Sequence, residues 1–145
     1  MSVSDRTSRP EVGTRTIAVQ VRAEYEELAM LRAVAETVAL FADFGIDRVV
    51  DIRLAVEEVA TAIVQDGVAD SELDCAFGYG DGSMRVRIAG VTASDTGPDR
   101  ASLGWHIVAT LTDSLSTSVG PFDSALGGHR TIVEFEWGTA ATDGR

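Results

Sequence analysis

The sequence has no lysine: all 12 basic side chains are arginine, set against 23 acidic ones. The formal charge of −11 excludes nucleic acid as an expected partner, since a phosphate backbone would be repelled and no basic run offsets this. It suits a protein partner with a basic face, drawn in by electrostatic steering. The single cysteine, Cys75, rules out a disulfide within the chain and points to a reducing compartment. It lies in the strand-like run LDCAFGYG, where a buried, inert thiol is expected. No apolar run approaches the ~20 residues of a spanning helix, so no membrane segment is expected. The polar start MSVSDRTSRPEVG lacks the apolar stretch of a signal peptide, which makes the cytoplasm the expected location. One cysteine and two distant histidines are too few for a metal site, and none is expected.

What is present is enough chain, 145 residues at 45% hydrophobic, to bury one core. Residues 14–138 are read as the domain, between a disordered tail at 1–13 and a frayed tail at 139–145. TRTIAVQVRAE alternates Ile17, Val19 and Val21 with polar residues, the pattern of a half-buried strand. YEELAMLRAVAETVALFADF repeats Leu28, Leu31, Val34, Val38 and Phe41 at helical spacing, for about five turns. Its exposed side carries Glu26, Glu27, Arg32 and Glu36. Gly45 reads as the C-cap, and Asp47 or Asp51 starts a second helix to about Gln65. SELDCAFGYG and SMRVRIAGV, joined by Asp-Gly, read as a hairpin. TASDTGPDRAS is a loop by composition, spanning residues 92–102. LGWHIVATLTDSLS is helical through Leu103, Ile107, Leu111 and Leu115, and the rest holds two strands around a Gly-rich turn. The order β–α–α–β–β–α–β–β implies an α+β two-layer sandwich with helices on one face.

The second helix, DIRLAVEEVATAIV, carries two adjacent carboxylates in an apolar pattern. Glu57 and Glu58 project about 100° apart, so one can be solvated while the other edges toward the sheet. From spacing alone, two surface glutamates on a solvated helix face are the first expectation, and one surface glutamate beside an acid able to orient water or accept a proton is the alternative. His106 and His129 have no nucleophile partner and read as surface and turn residues.

Taken in order, these segments resemble a known family. The acidic helix after a long first helix, the hairpin, the Asp/Gly loop, the helix start SLGWHIVATLTD and the closing strand HRTIVEF are similar to the anti-sigma-factor serine kinases. Those belong to the histidine-kinase-like ATPase superfamily, and the anti-sigma-F branch of mycobacteria and other actinobacteria is the nearest look. The resemblance covers about residues 14–137. It implies a Bergerat-type ATPase fold, a mixed β-sheet covered on one face by three helices.

The resemblance also assigns roles. Glu58 takes the place of the family's general base, with Glu57 as its solvated neighbour. The family's metal-holding asparagine falls at Ala62, next to Thr61, and alanine has no oxygen for Mg²⁺. The adenine-reading aspartate should follow the second hairpin strand, but that strand runs into Ala89 and Gly90. Asp95 and Gly97 can take the role only across an insertion; otherwise they form a surface turn. Gly104 alone remains of the glycine pair at the phosphate-binding helix start, with Ser102 as N-cap and Trp105 in an aliphatic position. Thr131 matches the closing threonine at the adenine edge. The implied activity is that of an anti-sigma factor. It sequesters an alternative, stress- or sporulation-type sigma factor and is released by a STAS-type anti-anti-sigma protein. The implied partner face is Arg22, Glu26, Arg32 and Glu36, and the implied state is a homodimer. Ala62 leads to the expectation of weakened or lost ATP and Mg²⁺ binding, with kinase activity weak or absent. The alternative is an active serine/threonine kinase that phosphorylates the anti-anti-sigma protein.

Overall fold

Period-two alternation produces five strands: β1 (Arg15–Arg22), β2 (Glu72–Gly80), β3 (Ser83–Thr92), β4 (Ser114–Asp123) and β5 (Gly128–Trp137). Helical periodicity produces α1 (Leu28–Phe41), α2 (Ile46–Gln65) and α3 (Leu103–Leu111), with a short 3₁₀ turn, Tyr25–Glu27, leading into α1. This computed structural model describes residues 15–80 and 82–138. The order of strands and helices is the one expected. The proposed tails at 1–13 and 139–145 lie outside the described residues.

The strands form one sheet in the order β1-β2-β3-β5-β4. Every pairing is antiparallel, which corrects the mixed sheet that the resemblance implied. The loop and α3 carry the chain across to β4, so β4 does run parallel to β3. The tight β4–β5 hairpin then folds β5 back between them, and no parallel pair touches.

Register puts one apolar row after another on a single face. Val19, Cys75, Ile88, Val133 and Thr117 are successive cross-strand partners. Cys75, Ile88 and Val133 are buried, as are their neighbours Phe77, Val86 and Phe135. Helix residues Leu31, Val38, Ile52, Val56, Ile63 and Val108 close the core over this face, so all three helices share it. The opposite face carries cross-strand ion pairs, Arg85–Glu136 at 3.1 Å and Arg87–Glu134 at 3.6 Å. Cys75 is buried as expected, and its thiol is pushed up to about 12 by burial first and the Asp74 charge second.

Three boundaries differ from the sequence reading. Helix α1 ends in a Schellman motif: Phe44 N–H donates to Ala39 C=O and Asp43 N–H to Leu40 C=O. The left-handed residue is Asp43, at φ 67°, so Gly45 is not the C-cap but the N-cap of α2. Helix α1 is also shorter, 14 residues, because Tyr25–Glu27 forms the 3₁₀ turn. Helix α3 stops at Leu111 and Leu115 belongs to β4, because Asp113 N–H donates to Glu136 C=O and sheet pairing takes over.

Candidate functional site

Helix α2 buries Val49, Ile52, Ala55, Val56, Val59, Ala60 and Ile63, a stripe that pins its rotation against the sheet. That rotation sends the two glutamates to different neighbours. Glu57 accepts a hydrogen bond from the Arg32 guanidinium of α1 at 3.0 Å. Arg53 faces Glu36 in the same seam at 3.8 Å. Glu57 is therefore a partly exposed ion-pair partner of Arg32. Glu58 turns to the other side, against α3. A β-carbon built on Gly104 would overlap the Glu58 Oε1, so only glycine lets the carboxylate sit this close.

Helix α3 opens at that contact. Ser102 is its N-cap, as expected, and its Oγ accepts from the Trp105 N–H at 3.1 Å. A carboxylate beside a helix N-terminus meets the positive end of the helix dipole. Trp105 is half-buried and packs on the core. One turn beyond Glu58, Thr61 and Ala62 are half-buried, and Ala62 offers only a methyl group.

Asp66, the C-cap of α2, ties down the loop that precedes α3. Its Oδ2 accepts from the Ser94 N–H at 3.2 Å and the Ser94 hydroxyl at 2.6 Å. Ala93 N–H adds a bond to the Asp66 carbonyl at 2.8 Å. Within this loop Gly97 adopts φ +74°, and a β-carbon there would press on the Val119 Cγ2 of β4 at 3.3 Å. Asp95 is exposed and hydrogen-bonded to none of the described residues. Thr131 is buried, and its hydroxyl meets that of Thr92 at 2.7 Å. Thr92 also donates to the Ser94 carbonyl at 2.9 Å.

The residue facing Thr131 across the ladder is Gly90. A β-carbon at Gly90 would lie 2.6 Å from the Ile63 Cγ2 and 3.0 Å from the Leu73 Cδ2. Core side chains thus fill the space beside Thr131 that an acid on β3 would need.

The structure brings Glu58 and Gly104 together and places Thr61 and Ala62 one turn on. Thr131 lies at the sheet beneath the loop of Asp95 and Gly97. The four expected partner residues do not form one free face. Arg22 and Glu26 are exposed near the start of α1, whereas Arg32 and Glu36 are half-buried in the α1–α2 seam. His106 is exposed, whereas His129 lies in β5 rather than in a turn, its Nδ1 3.0 Å from the Gly120 carbonyl of β4. Among the described residues no cluster of His, Cys, Asp and Glu could hold a metal ion, and no helix is long and apolar enough to cross a membrane. Sequence reasoning missed Asp66 and Thr92. The polar run after β3 was the available signal for both, since a loop rich in Ser and Thr needs acceptors.

The site therefore defines a two-layer α+β domain with an acidic central helix abutting a helix N-terminus under a tethered polar loop. Comparison with curated proteins finds a similarity to an anti-sigma factor. Over 105 residues, 72% of the chain, it is 29% identical to the anti-sigma-F factor RsbW of Mycobacterium tuberculosis, in strains CDC 1551 / Oshkosh and ATCC 25618 / H37Rv alike. The match spans 62% of that relative's own length. No protein-family profile matches the chain.

Proposed function

We propose that the protein is an anti-sigma factor: it holds an alternative sigma factor away from RNA polymerase and is released in the cytoplasm by an anti-anti-sigma protein. The observation that carries this reading is the 105-residue match to an anti-sigma-F factor. The net charge of −11 supports it, since a sigma factor presents basic surface to DNA and an acidic protein can cover it. We further read the domain as a Bergerat-type ATPase fold that pairs as a homodimer and whose nucleotide site has decayed.

The residues present fit ATP and Mg²⁺ poorly. Ala62 stands at the metal-ligand position without an oxygen donor. Gly90 faces Thr131 without a side chain, and Ile63 and Leu73 occupy the space an adenine-reading acid would fill. Asp95 is exposed in the loop after β3. Sequestration without phosphorylation is therefore the reading these residues support. The stress-response role follows from the family resemblance.

The test is transcription in vitro by RNA polymerase loaded with each alternative sigma factor of the source organism in turn. Inhibition of one holoenzyme, relieved by a STAS-type antagonist, is the expected result. Equal activity of all holoenzymes with and without the protein refutes the reading. Calorimetric titration with ATP and Mg²⁺ tests the second half. No heat at millimolar ATP is expected, and binding that Glu58→Ala abolishes would restore the kinase alternative.

A further inference from the structure

Helix α2 presents an apolar ridge to solvent. Ile46, Val50 and Leu54 lie one turn apart along one row and are 70%, 46% and 37% exposed. Scattered surface leucines need no explanation, but three in register on one helix form a line of anchors. Beyond Leu54 the same row reaches Glu58, where α3 begins, and Leu103 at that start is 76% exposed.

The two flanks of the ridge differ in charge. On the α1 side the acids are neutralised: Glu57 pairs with Arg32, and Glu36 faces Arg53. On the α3 side Asp47 and Asp51 follow the ridge, and neither has an ion-pair partner among the described residues. The nearby Arg48 is drawn off over the Phe44 ring, 5.9 Å from its centroid.

We infer that this ridge is a docking surface for a basic amphipathic helix of a protein partner, which lays its apolar face on Ile46, Val50 and Leu54 and its cations on Asp47 and Asp51. Anchors at a four-residue interval match the spacing of a helix laid against a helix face. A second copy laid antiparallel is a poor occupant, because that two-fold would bring the Asp47 and Asp51 flank against its own equivalent. A membrane is a poorer one, because the carboxylate flank would meet anionic headgroups. The surface stands on its own geometry; that the helix belongs to a sigma factor rests on the reading above.

The probe is a synthetic ~18-residue helical peptide, about 27 Å long, with leucine on one face and arginine on the other. Its composition-matched scrambled isomer is the control, and both are titrated into the full-length protein. The amphipathic peptide is expected to bind about tenfold or more tighter than the isomer. Val50→Ser/Leu54→Ser should remove that preference, and Asp47→Asn/Asp51→Asn should weaken binding and flatten its salt dependence. Met30→Ser/Phe41→Ser, on the outer face of α1, should leave it unchanged. Equal binding of the isomer, or loss only in the α1 variant, overturns the surface. A concentration-dependent dimer that Val50→Ser/Leu54→Ser abolishes overturns it in favour of a second copy. If the sigma factor identified by transcription binds this α2 variant as well as wild type, the docking surface fails and the anti-sigma reading stands. If the peptide behaves as expected but no holoenzyme is inhibited, the identification of the occupant as a sigma factor fails.

Discussion

Glu58 and Gly104 touch across the α2–α3 junction so closely that a β-carbon on Gly104 would overlap the Glu58 Oε1. The obstacle is the free end of a flexible side chain, which can swing away. Alanine in a helix also gains about 0.5–1 kcal/mol over glycine. Gly104→Ala should therefore fold normally, with a stability within about 1 kcal/mol of wild type, while displacing the carboxylate. In a Glu58→Ala background the same substitution meets no obstacle and should stabilise by about 0.5 kcal/mol more. Urea unfolding of the four proteins checks this; strictly additive values would mean that the two residues do not meet.

Gly90 offers the opposite case. Its hypothetical β-carbon meets Ile63 and Leu73, both packed in the core with no room to swing. Gly90→Ala should lower stability by about 1–3 kcal/mol, read from the denaturant midpoint at unchanged slope. A neutral result would show that the space beside Thr131 is open.

The Arg32–Glu57 pair joins two helices at 3.0 Å but is about one-third exposed on both sides. Solvent screening limits such pairs to below about 1 kcal/mol. A double-mutant cycle of Arg32→Ala and Glu57→Ala should give a coupling of about 0.3–0.5 kcal/mol that vanishes in ~1 M salt. Coupling of several kcal/mol would mark the seam as a buried structural bridge.

Asp66 holds the loop before α3 through both polar groups of Ser94. Asp66→Ala should cost about 1–3 kcal/mol for the lost charge-assisted bonds and loosen the loop. Trypsin cleavage after Arg100, inside the loop, should then speed up well beyond any global loss of stability. Unchanged cleavage would show that Gly97 packing on β4 alone holds the loop.

Burial first and the Asp74 charge second push the Cys75 thiol up to about 12 from 9.0. The folded state thus keeps a proton that the unfolded chain loses above pH 9. The associated stability is complete below that pH and falls as pH rises from 9 toward about 12. Cys75→Val should show a shallower alkaline decline in unfolding free energy. In the native protein the thiol should resist aromatic disulfide reagents at pH 8 and react once unfolded.

Much of the fold was legible because periodicity is local. The alternation of Val133, Phe135 and Trp137 against Glu134 and Glu136 assigns β5 unaided, and the Asp-Gly pair assigns the β2–β3 hairpin. Boundaries failed where long-range pairing competed with local preference. Leu115 fits a helical row, yet the β5 edge takes it into β4. Gly45 looks like a cap for α1, yet Asp43 adopts the left-handed turn and leaves Gly45 to start α2.

The candidate site divides in the same way. Sequence by itself determined the order of elements, the acidic central helix, the absence of an oxygen at Ala62 and the likeness to anti-sigma factors. Spacing alone had no means to tell Glu57 from Glu58, and only the resemblance singled out Glu58. Tertiary structure set their surroundings, by pairing Glu57 with Arg32, 25 residues away, and pressing Glu58 on Gly104. It also put Gly90 opposite Thr131 and left Val50 and Leu54 facing solvent. Periodicity reveals that a helix has a buried stripe. Which neighbour each remaining side chain meets depends on how helices and sheet pack, and packing is set by residues distant in the chain.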